Sequence, residues 1–188
     1  MLLTTPQRRC RECNTPFFVN RPMQAVCSIR CARADAKRVK RADKEKTRAR
    51  KEAVKTIPAL IREAQTAFNA WVRARDEGQP CICCGRFPLN DSLKGGGWDC
   101  GHYRSTGSAS HLRFNEANAH RQLKVCNRYG AGRAVDYRIG LIARIGLDAV
   151  EALEASNAPH KWQRDELKAI RDMYRRRLKE LKAQREEA

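Results

Sequence analysis

The chain is 188 residues long, with 6% aromatic and 32% charged residues. That leaves room for one modest domain with appendages or two small ones, and it excludes a chain that is mostly core. Its 39 Lys and Arg against 21 Asp and Glu give a formal charge of +18 and a pI near 10, which draws it to polyanions, most often nucleic acid, through phosphate neutralisation.

The opening Met1-Leu2-Leu3-Thr4-Thr5-Pro6 lacks an apolar h-region, and no stretch reaches the ~18 apolar residues of a membrane helix. This predicts a cytosolic protein without membrane contact. Thiols stay reduced in the cytosol, so nine cysteines with C-x-x-C spacing point to metal before disulfides.

Cys10-x2-Cys13 and Cys27-x3-Cys31 form the first such group, with Pro16, Phe17, Phe18, Pro22 and Met23 between them. Two knuckles joined by a short apolar hairpin can present four thiolates tetrahedrally to one zinc ion. So short a module, residues 1–31, cannot hold itself by apolar burial. Metal ligation, on the order of 10 kcal/mol, would supply its folding energy.

From Ala32 to Lys55 eleven Lys or Arg stand against four acids, interspersed with alanine and almost free of large apolar residues. Good helix formers without an apolar stripe predict a solvated basic helical linker, residues 32–55, either a tether or a segment that tracks phosphates.

Thr56 and Pro58 can start the next helix, in which Leu60, Ile61, Ala64, Ala67, Phe68, Trp71 and Val72 recur at helical spacing until Gly78-Gln79-Pro80 stops it. Its apolar face is expected to pack on the cysteine-bearing unit after it. The third region, residues 56–188, therefore begins here.

Residues 81 to 130 carry the chemistry. Cys81-Ile82-Cys83-Cys84-Gly85 is followed by Trp98-Asp99-Cys100-Gly101-His102-Tyr103, then Asn115 and Asn118, then Cys126-Asn127. A cysteine knuckle, a Gly-His on an expected strand, a loop Asn and a second cysteine closing onto Asn resemble the layout of an HNH-type ββα-metal nuclease. A neutral imidazole is the usual base near pH 7, and His102 suits that role. Asp99 offers a hard oxygen for magnesium or manganese, together with Asn127, which Cys126 would fix in place. Asn118 would orient the imidazole or hold the loop. Arg104, Arg113, Lys124, Arg128 and Arg133 surround the site and are expected to contact a nucleic-acid backbone. The plainer reading is a zinc-stapled DNA-binding module in which these His and Asn residues only serve loops. An RNA-binding factor is a third reading, weakened because no aromatic stacking platform is evident.

After this unit, Val135 to Ile145 predicts a short helix ending at Gly146, and Leu147 to about Ala155 a second one, broken by Asn157-Ala158-Pro159. Leu167, Ile170, Tyr174, Leu178 and Leu181 then define one stripe of a long C-terminal helix whose other faces carry Arg171, Arg175, Arg176 and Arg177. The stripe could dimerise, fold back on the core or lie along DNA. The class expected is α+β: zinc knuckle, basic helical linker, an HNH-like unit flanked by helices, and a long terminal helix.

These residues also resemble a family. Pro80-Cys81, Asp99-x-Gly101-His102-Tyr103-Arg104, Leu112 through Glu116, His120, Cys126-Asn127, Tyr137-Arg138, Ile142-x-Arg144-Ile145-Gly146 and His160-x-Trp162 are similar to the bacteriophage NinG (Rap) recombination proteins, as is the N-terminal knuckle. The resemblance covers nearly the whole chain. It implies a structure-specific endonuclease that cuts D-loops and Holliday junctions during phage homologous recombination in the bacterial host cytoplasm. Phage or host recombination proteins would be its partners, and a homodimer would suit paired cuts. The alternative is a non-catalytic recombination mediator or regulator. The family pattern has a second C-x-x-C before Asn127, and this chain has Leu123 at its first cysteine. Cys81, Cys84 and Cys126 then need a fourth zinc ligand, for which Cys100, Cys83 and His120 are the candidates. Cys100 lies two residues from His102, so a regular strand would point both to one side.

Overall fold

The computed structural model describes residues 7–88 and 97–187, so the opening hexapeptide lies outside the described residues. The chain divides into two compact units, Met1–Lys55 and Thr56–Ala188.

In the first unit β1 (Gln7–Arg9) pairs antiparallel with β2 (Pro16–Phe18), placing Cys10 and Cys13 at the hairpin turn. The expected hairpin between the two knuckles thus lies around the first of them. Its apolar residues are not packed away either: Phe18 and Met23 are exposed. Cys10 is the one buried residue among those described in this unit. Helix α1 (Ile29–Ala53) starts inside the second knuckle, with Ser28 as N-cap accepting from the Cys31 backbone N–H. Knuckle and basic segment are therefore continuous. Arg11 and Arg38 both pair with Asp35, tying the hairpin turn to the first turns of α1.

The second unit holds all the apolar clusters found among the described residues. Helix α2 (Ile57–Arg75) begins as expected, with the Thr56 side chain accepting from Ala59 N–H and Pro58 in the first turn. Leu60, Ala64, Phe68 and Trp71 of α2 pack on Leu167 and Tyr174 of α5 (Arg164–Glu186). The C-terminal stripe thus folds back on the domain. Arg171, expected on a solvated face, is buried in this seam and pairs with Glu63 of α2 at 2.8 Å, because it lies one helical turn from both Leu167 and Tyr174.

The two-stranded antiparallel sheet of β3 (Trp98–His102) and β4 (Ala119–Leu123) sits against α2, with Cys100 and Ala119 joining the same core. A single π-turn, Val125–Tyr129, follows β4, and α3 (Ala134–Ile145) and α4 (Leu147–Ala155) come after it. A second cluster around Ile82, Leu112, Tyr137, Leu141 and Val150 seats α3 and α4 on the other side. Gly140 makes that contact possible, since a Cβ there would lie 1.8 Å from the Ile82 carbonyl oxygen. Among the described residues no helix is long and apolar enough to cross a membrane.

Candidate active site and cysteine centres

Both cysteine groups assemble. The sulfurs of Cys10, Cys13, Cys27 and Cys31 lie within 4.8 Å of one another, and so do those of Cys81, Cys83, Cys84 and Cys126. Neighbouring sulfurs are 3.5 and 3.7 Å apart in each group. Four zinc–sulfur bonds of about 2.3 Å would place tetrahedral sulfurs roughly 3.8 Å apart, so either set fits zinc in donor type and span. Backbone N–H groups point at the sulfurs: Cys27 N–H reaches Cys10, and Leu123 N–H reaches Cys81. The N–H of Cys13, outweighing desolvation, lowers the Cys10 thiol to about 6. At Cys84, burial opposes ionisation, but the hydrogen bonds to Arg86 outweigh it and bring the thiol to about 7.

Of the three candidates for the fourth position at the second centre, the fold brings in Cys83. Cys100 points into the α2–α5 core, where burial pushes its thiol up to about 12. His120 is held elsewhere, with Nδ1 3.2 Å from Arg75 and 3.4 Å from Asp76, and Nε2 donating to the Ala117 carbonyl. Leu123 packs with Cys81, Trp98 and Cys126 beside the four sulfurs.

His102 closes β3. Its ring lies against Phe68, with centroids 5.9 Å apart, and Nε2 sits 3.0 Å from the Arg113 carbonyl oxygen. Burial lowers its pKa, the Arg113 carbonyl opposes that shift, and the Arg113 charge adds to it. A cleft of about 650 Å³ is lined by His102, Tyr103, Ser105, Asn127, Tyr137 and Glu154, among others. His102 and Asn127 therefore face the same space.

Asp99 and His102 leave β3 on opposite faces by strand alternation. Asn127 connects the two sides: it lines the cleft, and its Nδ2 donates to Asp99 Oδ2 at 3.1 Å. Burial would raise the Asp99 pKa, but hydrogen bonds from Arg128 and Asn127 carry it below the usual carboxylate value. Asn118 does not touch the imidazole. Fully buried, it accepts from Arg104 N–H at 2.8 Å and donates to the carbonyls of Arg104 and Leu112. It clamps the loop whose next residue, Arg113, offers its carbonyl to His102. These are the bonds of the second expected role, holding the loop.

The space left by Gly101 is filled by a side chain of the partner strand, since a Cβ there would meet Gln122 Oε1 at 2.1 Å. Gln122 itself escaped the sequence reading. Its Nε2 lies 3.3 Å from Cys83 Sγ and 2.8 Å from the Gly132 carbonyl, so it joins the second cysteine centre to the cleft wall. Glu154, Tyr103 and Arg138 were missed for the same reason, as only the fold brings them together. Arg138 Nε pairs with Glu154 at 2.7 Å, and the Tyr103 hydroxyl donates to the same carboxylate, which falls to about 2.

The five cations expected to contact phosphate stand in different surroundings. Arg104 donates to the carbonyls of Leu153, Glu154 and Ser156, and so caps α4. Arg113 donates to Gln65 and the Thr106 carbonyl, and burial lowers its pKa. Both hold loops. Arg128 pairs with Asp99 and Arg133 with Asp136, each in an exposed position. Lys124 is half-buried and adds to the positive field at Asp99.

The family described as "Bacteriophage Lambda NinG protein" matches residues 3–186. Protein ninG of Escherichia phage lambda is 38% identical over the full length of both chains. Protein ninG of Salmonella phage P22 is 39% identical over 95% of this chain and 93% of its own. Protein ninG of Escherichia phage 933W is 43% identical over 77% of this chain and 69% of its own. No solved structure matches the chain.

Proposed function

The chain belongs to the NinG family, and we propose that it is a structure-specific endonuclease cutting branched DNA recombination intermediates, D-loops and four-way junctions, by metal-dependent phosphodiester hydrolysis. The observation that carries this reading is His102: a half-buried imidazole anchored by Nε2 on the Arg113 carbonyl, in a cleft it shares with Asn127. In this reading Nε2 keeps its proton on that carbonyl, and Nδ1 gives up its contact with the Cys100 backbone to take a proton from water. Burial keeps the ring neutral near pH 7, as a base requires. Asn118 keeps the Arg113 carbonyl in place through its bonds to the preceding backbone.

Asp99 and Asn127 touch each other and carry the oxygen donors that suit magnesium or manganese, which commonly uses one or two protein ligands and fills the rest with water and phosphate. Such a cation would offset charge on the phosphate and the leaving oxygen. The Arg128 side chain, 59% exposed, now neutralises Asp99 and has room to turn toward a phosphate instead. The two cysteine centres serve as structural zinc sites in this reading.

The second reading is a non-catalytic DNA-binding recombination mediator. The observation favouring it is the same Arg128, which bonds both oxygens of Asp99. Cleavage of a labelled four-way junction and a matched linear duplex in magnesium or manganese separates the two readings, with wild type beside His102→Ala. Cutting by wild type alone supports the nuclease. Tight junction binding without cutting, in protein with both cysteine centres filled, leaves the mediator.

A further inference from the structure

Helix α1 carries its charge in a pattern. Arg30, Arg33, Lys37, Lys40, Lys44, Arg48 and Lys51 recur at intervals of three or four residues, so at 3.6 residues per turn they form one straight stripe. All seven are exposed. Asp35, Asp43, Glu45 and Glu52 fall at other positions of the helix, and among the described residues no ion-pair partner stands against any of the seven. The knuckle engages a different side: Cys31 is a member of the cysteine group, Asp35 takes Arg11, and Arg38 reaches Glu12. Within this unit the stripe therefore faces away from the hairpin turn.

Acids stand one turn from only two of the seven, Asp43 from Lys40 and both Glu45 and Glu52 from Arg48. Here Arg33 and Lys37, Lys40 and Lys44, and Lys44 and Arg48 are like charges four residues apart, an arrangement that destabilises a helix standing alone. A row of phosphates would reverse that effect. The stripe spans about 32 Å at 1.5 Å per residue, close to the roughly 34–36 Å of one turn of duplex. The remaining surface is mainly six alanines, four acids and four further bases, Arg38, Arg41, Lys46 and Arg50, with Ile29 and Val39 as its large aliphatic residues, which does not suit insertion into a lipid surface. It has no aromatic residue on which an unpaired base could stack.

We propose that the knuckle and α1 form a second nucleic-acid-binding body, with the stripe laid along the phosphate backbone of a duplex DNA arm. This rests on the reading of the chain as acting on DNA, and it does not require that the chain cut. The test uses the full chain and two variants of equal net charge: Lys44→Gln/Arg48→Gln on the stripe and Lys46→Gln/Arg50→Gln off it. Glutamine has nearly the helix propensity of the residues it replaces, and circular dichroism checks that α1 is kept. Binding to a linear DNA duplex is measured across a salt series. The stripe pair is expected to flatten the slope of log affinity against log salt by about 2, roughly one for each phosphate no longer neutralised, with the off-stripe pair unchanged. Equal slopes for the two variants overturn the proposal. So does a stripe-specific loss that appears only on duplex RNA or phosphatidylserine vesicles. Junction cleavage by the same proteins is scored separately: a wild type that never cuts removes the nuclease reading, and the slopes still decide this one.

Discussion

The two cysteine centres have the same four donors and nearly the same sulfur spacings, yet they stand in opposite surroundings. Around Cys10, Cys13, Cys27 and Cys31 there is no apolar cluster among the described residues, and Phe18 and Met23 of the same module face solvent. Around Cys81, Cys83, Cys84 and Cys126 lie Trp98 and Leu123, with two further clusters behind them. A metal in the first centre therefore acts as the core of its module. In the second, the fold has other support, and the metal positions neighbours: Asn127 follows Cys126 directly, and Gln122 ties Cys83 to Gly132. One ligand set would thus do two jobs, with the apolar surface nearby deciding which.

Metal removal tests that contrast most strongly. Chelation, or Cys10→Ser, is expected to unfold residues 7–28, since ligation on the order of 10 kcal/mol is their main source of stability. Limited proteolysis should then cut this segment while residues 56–187 stay resistant under Cys10→Ser. Simultaneous digestion of both units would break the comparison. The chemistry near the second centre should fail independently of either fold: His102→Ala is expected to lower junction cleavage by about 10²–10⁴ with binding retained. At the second centre itself, Cys83→Ser should cost one of two bound metal ions per chain after gel filtration. Adding Leu123→Cys should restore it, because that side chain already packs against Cys81 and Cys126. Loss of metal in Cys100→Ser instead would assign the ligand wrongly. Gln122→Ala, which removes the hydrogen bonds to Cys83 and to the Gly132 carbonyl and empties the space beside Gly101, should weaken metal affinity at this centre by about 10–100-fold, read by competition with a chromogenic chelator.

The smallest effect expected is on pH. Burial lowers the His102 pKa, so the neutral ring persists below the ordinary value near 6.5, and the acid limb of the cleavage profile should fall below that value. The unfolded chain takes up this proton first as pH falls. The contribution to stability is therefore complete above the unfolded value and is lost as pH drops through the folded one. An acid limb above 6.5 would exclude His102 as the base.

Local pattern was enough for much of the fold. Helix α2 lies where Thr56, Pro58 and the Leu60–Trp71 periodicity put it, and α3 ends at Gly146. The strand bearing His102 is where the Gly-His segment predicts one. The roles of the arginines were not legible, because a charge in sequence carries no sign of what it will face. Arg104 and Arg113 look like Arg128 on paper, yet two cap and clamp backbone while the third lies exposed against Asp99.

What the sequence determined by itself is what short-range chemistry controls. The spacing within Cys10–Cys13 and Cys27–Cys31 sets a four-thiol group, helical periodicity sets α2 and α5, and the i, i+3, i+4 recurrence of Lys and Arg sets the stripe of α1. Only the tertiary structure decided that Cys83 rather than Cys100 or His120 joins the second centre, that Asn118 serves the loop backbone, and that Gln122 fills the space beside Gly101. Those choices depend on which face of β3 and β4 meets α2 and which meets the cysteine turn. Strand alternation gives two faces, and only packing against distant helices says which one each side chain will occupy.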